Sequence, residues 1–287
     1  MNKNLIQSDL LRNLYYAKNK AVSRCQIWRK GSKIFINSLP KSGTHLVTSL
    51  LEATGEIKSA GRHLRTVDFD INESGRTFAL DVDKFVKEES RVRGKQYFSA
   101  HFPWDKNIEA VFDGSKMKIL NVIRDPRDMI VSRYHYIMDL KRHFLNEFLT
   151  NHYDSDEDRI LALINGPPVD AVSAPDKFLP YKITLERFEG WQKSPFVMTV
   201  RYEDIIGPRG SGSLEVQYET IRRLLEFVGV EVNDHEIENL IPKFLGVNTA
   251  TMRSGTSGEW KAKLSEAAQV AVNRELRDVI LRMGYEF

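Results

Sequence analysis

The sequence predicts an α/β fold in which a central parallel sheet is flanked on both faces by helices. Short runs of β-forming apolar residues alternate along the chain with longer segments whose apolar residues recur at helical spacing, an order typical of parallel sheets. Some of these runs are apolar almost throughout, as in strands that are buried on both faces. Polar residues follow four of the runs directly, and parallel sheets bind ligands at the carboxyl ends of their strands. We therefore expect a binding site at that edge of the sheet.

The predicted elements alternate in order along the chain. Strands are predicted at residues 34–36, 95–102, 116–123 and 195–200. Helices are predicted at residues 44–53, 83–93, 126–152, 183–191, 218–228, 234–244 and 265–283. Asp125 is suited to cap the third of these helices, with Pro126 in its first turn. No internal repeat is visible, and loops or irregular segments are expected at residues 56–82, 154–158 and 165–180.

Length and composition are those of an ordinary globular protein. The chain has 287 residues, of which 41% are hydrophobic and 28% charged, and no apolar run approaches the roughly 18 residues of a membrane span. We expect a single domain over residues 1–287, monomeric or homodimeric, without stable membrane insertion. Residues 1–33 carry eight basic residues and one acidic residue. They predict a basic helical segment that packs on the domain, with contact to a membrane surface as the alternative.

Charge and cysteine content narrow the possible partners. The net charge of +3 fits an anionic ligand but is too small to indicate nucleic acid. Cys25 is the only cysteine, so an intrachain disulfide is impossible and a reducing, cytoplasmic location is expected. A zinc site of the Cys/His type would need more cysteines, and we expect no bound metal.

The loop between the first predicted strand and the first predicted helix is the strongest local signal for ligand binding. It reads Pro40-Lys41-Ser42-Gly43-Thr44. Gly43 allows a backbone path that a Cβ would obstruct, and the first N–H groups of the helix have no partner within it. Together with the helix dipole, the lysine and the two hydroxyl groups, these donors suit a phosphate. A Walker A loop would have an upstream glycine and a lysine after the second glycine, so the usual ATP or GTP loop is absent.

Five segments form a pattern along residues 33–287. They are PKSGT at 40–44, IRDPRDMIVSRYHY at 123–136, YED at 202–204, RSGTSGEWK at 253–261 and GYEF at the carboxyl terminus. In this order they resemble the PAPS-dependent sulfotransferases, PAPS being 3′-phosphoadenosine 5′-phosphosulfate. The resemblance implies a P-loop-like three-layer fold and a transferase of class EC 2.8.2. Such an enzyme moves the sulfuryl group from PAPS to a hydroxyl or amine of a small-molecule acceptor and releases PAP.

The resemblance also implies roles for individual residues. The first loop would hold the 5′-phosphate through Lys41, Ser42, Gly43, Thr44 and the backbone of His45. The 3′-phosphate would be held by Arg124 and Ser132, and the adenine would lie near Tyr202. A closing loop over the 3′-phosphate would contain Arg253, Ser254 and Gly255.

The candidate general base is His101, which follows a predicted strand and precedes Phe102 and Pro103. Sulfotransferases commonly have a histidine at this point, and imidazole suits proton removal from a hydroxyl near neutral pH. In the same scheme Lys41 would stabilise charge on the bridging oxygen as the sulfuryl group leaves. The alternatives are a structural histidine at position 101 and His45 as the base.

Three positions depart from the family pattern. The family often has lysine where this chain has Ser99, tryptophan where it has Leu46, and lysine in the closing loop where it has Ser254. These differences bear on adenine stacking and on one phosphate contact, and not on the class of cofactor. They indicate a chain outside the best-known animal cytosolic branch, as expected of a bacterial member.

The sequence leaves other functions open. A P-loop nucleotide or small-molecule kinase would also bind phosphate at residues 40–44, and a non-catalytic nucleotide-binding module would not need His101. Arg124 could instead form a salt bridge with a neighbouring aspartate, and Tyr202 could be a core residue.

The acceptor is the least constrained part of the prediction. The acidic stretch Asp154–Asp158, with Asp170 and Asp176, favours a cationic acceptor such as a guanidinium-type natural product. The same residues could equally form a solvated loop without a role in binding.

Overall fold

A single parallel sheet organises the chain. The computed structural model describes residues 3–25, 30–72, 78–113, 115–168, 178–210, 212–246 and 255–287. Within these residues five parallel strands are arranged in the order β2-β3-β1-β4-β5. The strands are β1 (Ile34–Ser38), β2 (Lys58–Leu64), β3 (Gln96–Ala100), β4 (Lys118–Ile123) and β5 (Val197–Arg201).

Helices connect the strands and continue the chain beyond the last of them. Before β3 they are α1 (Lys3–Cys25), α2 (Thr44–Ala53), α3 (Thr66–Phe69) and α4 (Val82–Glu89). Between β3 and β5 they are α5 (Lys106–Phe112), α6 (Pro126–Asp139), α7 (Asn146–His152), α8 (Asp156–Asn165), α9 (Tyr181–Glu186) and α10 (Glu189–Lys193). After β5 they are α11 (Tyr202–Ile206), α12 (Leu214–Phe227), α13 (Asp234–Leu245), α14 (Trp260–Lys263) and α15 (Glu266–Arg282), with a 3₁₀ turn at Gly207–Gly210.

The sheet is buried on both faces, as its apolar strands predict. Every residue of β1 is buried, and its apolar side chains alternate between two hydrophobic cores. Phe35 belongs to the core formed with α4, α5, α6, α8 and α15, where its ring centroid lies 4.9 Å from that of Phe98. Ile34 and Ile36 belong to the core formed with α2, α12 and α13. The predicted three-layer arrangement of helices around a parallel sheet is therefore confirmed.

Strand β2 lies in the segment predicted to be irregular, and that prediction is wrong. The sequence of β2, KSAGRHL, has no apolar run to mark it as a strand. Its polar side chains find partners nonetheless, because Arg62 pairs with Glu88 of α4 and His63 Nδ1 lies 3.0 Å from Ser99 Oγ. An outer strand whose polar groups are paired in this way does not need apolar alternation.

Helix α1 packs against β2, and the two backbones meet at Gly61. The φ angle of Gly61 is 67°, and a Cβ there would lie 2.4 Å from both Lys20 N and Tyr16 O. Tyr15 of the same helix donates a hydrogen bond to Glu52 of α2. The helix is thus held both by close backbone contact and by a hydrogen bond. In the part of the chain that the structure describes, neither α1 nor any other helix has the length and apolarity needed to span a membrane.

Three predicted segments differ from the structure. The helix predicted over residues 183–191 is divided, because α9 ends at Glu186 and α10 begins at Glu189. The helix predicted over residues 126–152 is interrupted, because α6 ends at Asp139 and α7 begins at Asn146. The acidic stretch Asp154–Asp158, predicted to be a loop, contains the start of α8, where the Ser155 hydroxyl accepts a backbone N–H at 3.0 Å. Carboxylates in the first turn favour a helix through its dipole, which is why this acidic segment is helical.

Candidate active site

Four strands end side by side, and a predicted site residue follows each of them. β1 leads into the loop at residues 39–43, β3 into His101, β4 into Arg124 and β5 into Tyr202. Because the strands are parallel neighbours, these four ends lie at one edge of the sheet. The contacts between their side chains define two connected regions, one around the loop and one around His101.

The loop after β1 is shaped mainly by its own backbone. Ser42 N–H donates to the Leu39 carbonyl at 3.2 Å, and two N–H groups of α2 donate to the carbonyl of Gly43. Lys41 and Gly43 have positive φ angles of 74° and 106°. Such angles cost glycine nothing and are unusual for lysine. The loop therefore enters α2 directly, where the first helical N–H groups face the turn without helical partners.

Tyr202 packs on this loop and explains why position 43 is glycine. A Cβ on Gly43 would lie 2.5 Å from Cδ2 of the buried Tyr202 ring. The guanidinium of Arg124 lies over the same ring, 4.4 Å from its centroid. Burial raises the pKa of the Tyr202 phenol, so this ring is neutral. Three residues that the sequence singles out separately therefore form one cluster.

Arg124 retains a hydrogen-bond donor that the described chain does not use. One terminal nitrogen donates to the carbonyl of Thr256 at 2.9 Å, while the buried Nε has no hydrogen-bond partner in the described part of the chain. Asp125, a potential partner in the alternative interpretation, instead pairs with Arg127, with 2.8 Å between Nη2 and Oδ2. A partly buried guanidinium whose buried Nε makes no hydrogen bond within the described residues is suited to an anion.

Asp128 fixes the segment at residues 256–260 against α6. Its carboxylate accepts the N–H of Gly258 at 2.6 Å and that of Trp260 at 3.0 Å. Burial raises the pKa of this carboxyl group, and the two N–H donors oppose the change. Since Arg124 bonds to Thr256 in the same segment, two residues at the start of the α6 region hold it in place.

The remaining loop residues surround this cluster. Ser42 is buried, with its Oγ 3.4 Å from the sulfur of Met129. Thr44 Oγ1 lies 2.6 Å from Ser38 Oγ. His45 is exposed in the first turn of α2. The two hydroxyl groups are therefore engaged with the protein, and Gly43, the N-cap residue of α2, has no side chain to cap the first N–H groups of the helix.

The predicted contacts to a 3′-phosphate are only partly described. Ser132 is half-buried on α6, one helical turn beyond Asp128. Gly255 directly precedes the segment that Asp128 holds and has a φ angle of 66°. Arg253 and Ser254 lie outside the described residues.

Lys41 directs its charge towards α6. Its Nζ lies 4.8 Å from the centroid of the Tyr136 ring, a cation–π contact. Such a contact is worth about 0.5–2 kcal/mol, so an anion bound at the loop can compete for the ammonium group.

His101 is held rigidly at the end of β3. Its Nδ1 lies 2.8 Å from the Ser38 carbonyl oxygen, and its own carbonyl accepts the Thr66 hydroxyl at 2.7 Å. The side-chain amide of Asn37 makes two hydrogen bonds to the backbone of Phe102, the residue after His101. Its Oδ1 accepts the N–H of Phe102 at 2.8 Å, and its Nδ2 donates to the Phe102 carbonyl at 3.0 Å. A ring nitrogen this close to a carbonyl oxygen carries the proton, so Nε2 of the neutral ring bears the lone pair.

The pKa of His101 is lowered to about 4. Burial is the largest cause, and the positive charges of His45 and Lys41 act in the same direction, while the hydrogen bond to Ser38 opposes them. At neutral pH the imidazole is therefore uncharged and able to accept a proton.

A cavity of about 400 Å³ adjoins the loop and His101. Pro40 of the loop and His101 both line it, and the described part of its wall also includes His63, Arg133 and Arg187. Sequence reasoning did not find these last three residues. Arg133 is next to Ser132 in a recognised segment, but nothing in the sequence connects His63 or Arg187 to a site. The cavity nevertheless places His101 beside a space whose volume lies in the range of ligand pockets.

The family follows from comparison with known proteins. A sequence model of the family described as "Sulfotransferase domain" matches residues 31–280. The chain belongs to the sulfotransferase domain family. Its relatives include Sulfotransferase 6B1 of Mus musculus, 22% identical over 263 residues that cover 88% of this chain and 77% of the relative. Sulfotransferase 2A6 of Rattus norvegicus is 21% identical over 275 residues, covering 87% and 84%.

Solved structures share the fold of this sulfotransferase-family chain. Mouse sulfotransferase SULT7A1 complexed with PAP has a TM-score of 0.56 at 17% identity, over 95% of this chain and 96% of that one. Retinol dehydratase in complex with androsterone and the inactive cofactor PAP has a TM-score of 0.55 at 16% identity, over 95% and 87%. At such low identity the likeness shows the fold alone. The family and the P-loop-like architecture predicted from the sequence are both confirmed.

Proposed function

We propose that the protein transfers the sulfuryl group of PAPS to a hydroxyl or amine of a small-molecule acceptor and releases PAP. The observation that carries this proposal is the position of His101, which lines the same cavity as the phosphate-type loop and has its Nδ1 fixed on Ser38 of the strand that enters that loop. A kinase or a non-catalytic nucleotide-binding module would not need a histidine at this point.

The cluster at the strand ends fits the cofactor. The N-terminus of α2 without a side-chain cap, the glycine conformation at Gly43 and the charge of Lys41 suit a 5′-phosphate. The unpaired Nε of Arg124 suits a second anionic group. PAP occupies the solved structures of SULT7A1 and of retinol dehydratase that share this fold. The proposed cofactor residues are Lys41, Ser42, Gly43, Thr44, His45, Arg124, Ser132, Tyr202, Arg253, Ser254 and Gly255.

The proposed catalytic residues are Lys41 and His101. Bound PAPS would supply an activated sulfuryl group on its 5′-phosphate. Lys41 and the N–H groups at the start of α2 stabilise negative charge at the loop. Nε2 of His101 accepts the proton from the acceptor, while Ser38 keeps the ring in the required tautomer. Positioning and electrostatics account for most of the expected rate, as they do in phosphoryl transfer. The proposal includes a cytoplasmic location, which a chain whose only cysteine is Cys25 suits.

A thermal-shift comparison tests the cofactor. PAP should raise the melting temperature of the protein, since a ligand at about 100 times its Kd stabilises the native state by about 2.7 kcal/mol. ATP with Mg²⁺ should not. Lys41→Ala and Arg124→Ala should each weaken PAP binding by about tenfold or more, the scale of a charged hydrogen bond. Lys116→Ala, at an exposed lysine before β4, is the control and should bind PAP normally.

The opposite result would reverse the proposal. A shift with ATP and Mg²⁺ but not with PAP would support the kinase. Binding of PAP without turnover of any acceptor, and without an effect of His101→Ala, would support the non-catalytic module.

A further inference from the structure

The cavity beside His101 has a strongly one-sided charge. Three arginines, Arg65, Arg133 and Arg187, are among the described residues that line it, and none of those residues is an aspartate or glutamate. Its other described walls are mainly apolar, with Leu64, Leu179 and Phe188 among them. The cavity therefore combines an apolar surface with cationic groups, and its volume of about 400 Å³ lies in the range of ligand pockets.

The positive charge of Arg65 is offset by the carboxylate of Asp68. The Nε of Arg65 donates to Asp68 Oδ2 at 2.7 Å and its terminal nitrogen to Oδ1 at 2.8 Å, a bidentate pair. Arg65 is also exposed to solvent. It therefore adds little net charge to the cavity.

Arg133 and Arg187 are not neutralised in this way by the described residues. The guanidinium of Arg133 lies 5.4 Å from the ring centroid of the buried Tyr181, and no ion pair of Arg133 is found in the described part of the chain. Nη2 of Arg187 is buried and makes no hydrogen bond within the described residues. Asp70 acts on Arg187 electrostatically, but one oxygen of its carboxylate already accepts the N–H groups of Asn72 and Ala79.

Arg133 and Arg187 are both partly buried, and neither makes a hydrogen bond to a carboxylate within the described residues, which is unfavourable when the cavity holds no anion. Burial lowers the pKa of both Arg133 and Arg187, which reflects the cost of removing each charge from water. Arginine nevertheless stays protonated in proteins, so the charge cannot be lost. An anionic ligand with oxygens in the guanidinium planes would offset this cost and make charge-assisted hydrogen bonds.

The acidic segment that suggested a cationic acceptor does not contribute to this wall. Within Asp154–Asp158, Asp156 pairs with Arg159 at 2.9 Å and Asp158 accepts the Ser155 hydroxyl at 2.6 Å. None of these residues is among the described residues of the cavity wall. Asp170 and Asp176 lie outside the described residues.

We propose that the acceptor carries an oxyanion, such as a carboxylate, and that Arg133 and Arg187 bind it while the nucleophilic hydroxyl lies at His101. The proposal rests on the sulfotransferase function above and names the class of its acceptor, a hydroxylated acid. The two arginines act as specificity residues because an acceptor without the anion leaves these partly buried guanidinium groups without a hydrogen-bonded carboxylate.

Three phenols that differ only in charge test this class. 4-Hydroxyphenylacetate is anionic, 4-hydroxyphenylacetamide is neutral and tyramine is cationic. Calorimetric titrations are made with the full chain, with and without PAP, and the turnover of each phenol is measured with PAPS. We expect the anion to bind about 10- to 100-fold more tightly than the amide, the scale of a charged hydrogen bond, and tyramine to bind most weakly.

Arginine variants then locate the effect. Arg133→Met and Arg187→Met should each remove most of the preference for the anion, Arg187→Lys should restore part of it, and PAP binding should be unchanged in all three. Arg65→Met is the matched control, since Arg65 lines the same cavity but is paired with Asp68. Because each substitution removes a partly buried charge that has no hydrogen-bonded carboxylate within the described residues, the melting temperatures of the two methionine variants should equal or exceed that of the wild type.

The two proposals fail in different ways. Absence of PAP binding would overturn the sulfotransferase function, while the preference for the anion could still be measured without PAP. Normal PAP binding with no preference for the anion, with no binding of any of the three phenols, or with a preference that survives both methionine substitutions would overturn the acceptor class alone. If either methionine variant does not fold, the corresponding Gln variant is used, with the same expected loss.

Discussion

The loop at residues 39–44 and the cavity beside His101 are neighbours, yet they are constructed in different ways. The loop is contiguous in sequence and is shaped by backbone hydrogen bonds and by the positive φ angles of Lys41 and Gly43. The cavity is lined by side chains from distant parts of the chain, including His63 of β2, Arg133 of α6 and Arg187 after α9. The loop should therefore be sensitive to changes in backbone conformation, and the cavity to changes in the identity of individual side chains.

The largest expected effect is a loss of turnover when His101, which lines the cavity, is replaced. His101→Gln should lower turnover about 10²- to 10⁴-fold, because the group that accepts the proton is lost, while PAP affinity stays nearly unchanged. Steady-state kinetics and PAP titration measure the two effects. His143→Gln is the control, since burial and the charge of Arg133 also lower its pKa to about 4, yet it is not among the described residues of the cavity wall.

Other outcomes for His101 are equally informative. Near-full turnover in His101→Gln, together with an inactive His45→Ala variant that still binds PAP, would assign the base to His45. A joint loss of stability and of PAP binding would make His101 a structural residue. Full activity of both variants with an amine acceptor would indicate N-sulfation without a base.

The second prediction concerns the backbone of the loop. Gly43→Ala should lower PAP affinity about 10- to 100-fold and the free energy of unfolding by about 1–3 kcal/mol, because φ is 106° and the new Cβ would meet the Tyr202 ring. Gly55→Ala is the matched control, with a φ angle of 76° and no atom within 4 Å of the added Cβ. It should cost about 1–2 kcal/mol of stability and leave PAP binding intact. Equal losses of PAP affinity in the two variants would show that strain, and not the contact with Tyr202, controls the loop.

The third prediction is a dependence of stability on pH. The pKa of His101 and of His143 is about 4 in the native state and about 6.5 in the unfolded state, so between these values the unfolded chain binds more protons. The free energy of unfolding is therefore highest above about pH 6.5 and falls as the pH is lowered towards 4. Urea denaturation at pH 7 and pH 5 should show a loss of about 1–2 kcal/mol from His101 and a smaller loss from the half-buried His143, and His101→Gln and His143→Gln should each remove the corresponding loss. A wild-type stability that is unchanged between these pH values would contradict the lowered pKa values.

The smallest effect is expected at the segment that Asp128 holds. Asp128→Asn replaces a carboxylate that accepts two backbone N–H groups with an amide that has a single acceptor oxygen. The loss of about 1 kcal/mol should weaken PAP binding about fivefold, since Thr256 belongs to the same segment and Gly255 directly precedes it. Titration of PAP measures it, with Asp139→Asn on the same helix as the exposed control. If the two variants bind PAP equally, the segment at residues 256–260 does not contribute to the cofactor site.

The sequence predicts the loop side of the site better than the cavity side, for a physical reason. Some features depend only on residues within a few positions of one another, so local sequence patterns predict them. They are strand β1, the turn at Gly43 and the capped start of α6. His101 could be placed because a strand end and a proline mark it. The order of the strands then brings these local features together at one edge.

The parts that the sequence did not predict depend on contacts between distant residues. Strand β2 has no apolar run, since Arg62 and His63 are stabilised by Glu88 and Ser99 from other elements. The position of Arg187 is fixed when its carbonyl accepts the N–H of Trp104 at 2.7 Å, a contact that no local pattern reports. The charge of the cavity, on which the proposed class of acceptor rests, could therefore be read only from the folded chain.

The close approach of α1 to Gly61 has a consequence for the solubility of the protein. β2 is the outermost strand on its side of the sheet, and an outer strand offers unpaired backbone groups to which other chains can add. With α1 in contact with its backbone at Gly61, an incoming strand would have to displace a helix of 23 residues. A chain without α1, or with a side chain at position 61 that keeps the helix away, would lose this protection and should aggregate through β2 even where its phosphate loop remains intact.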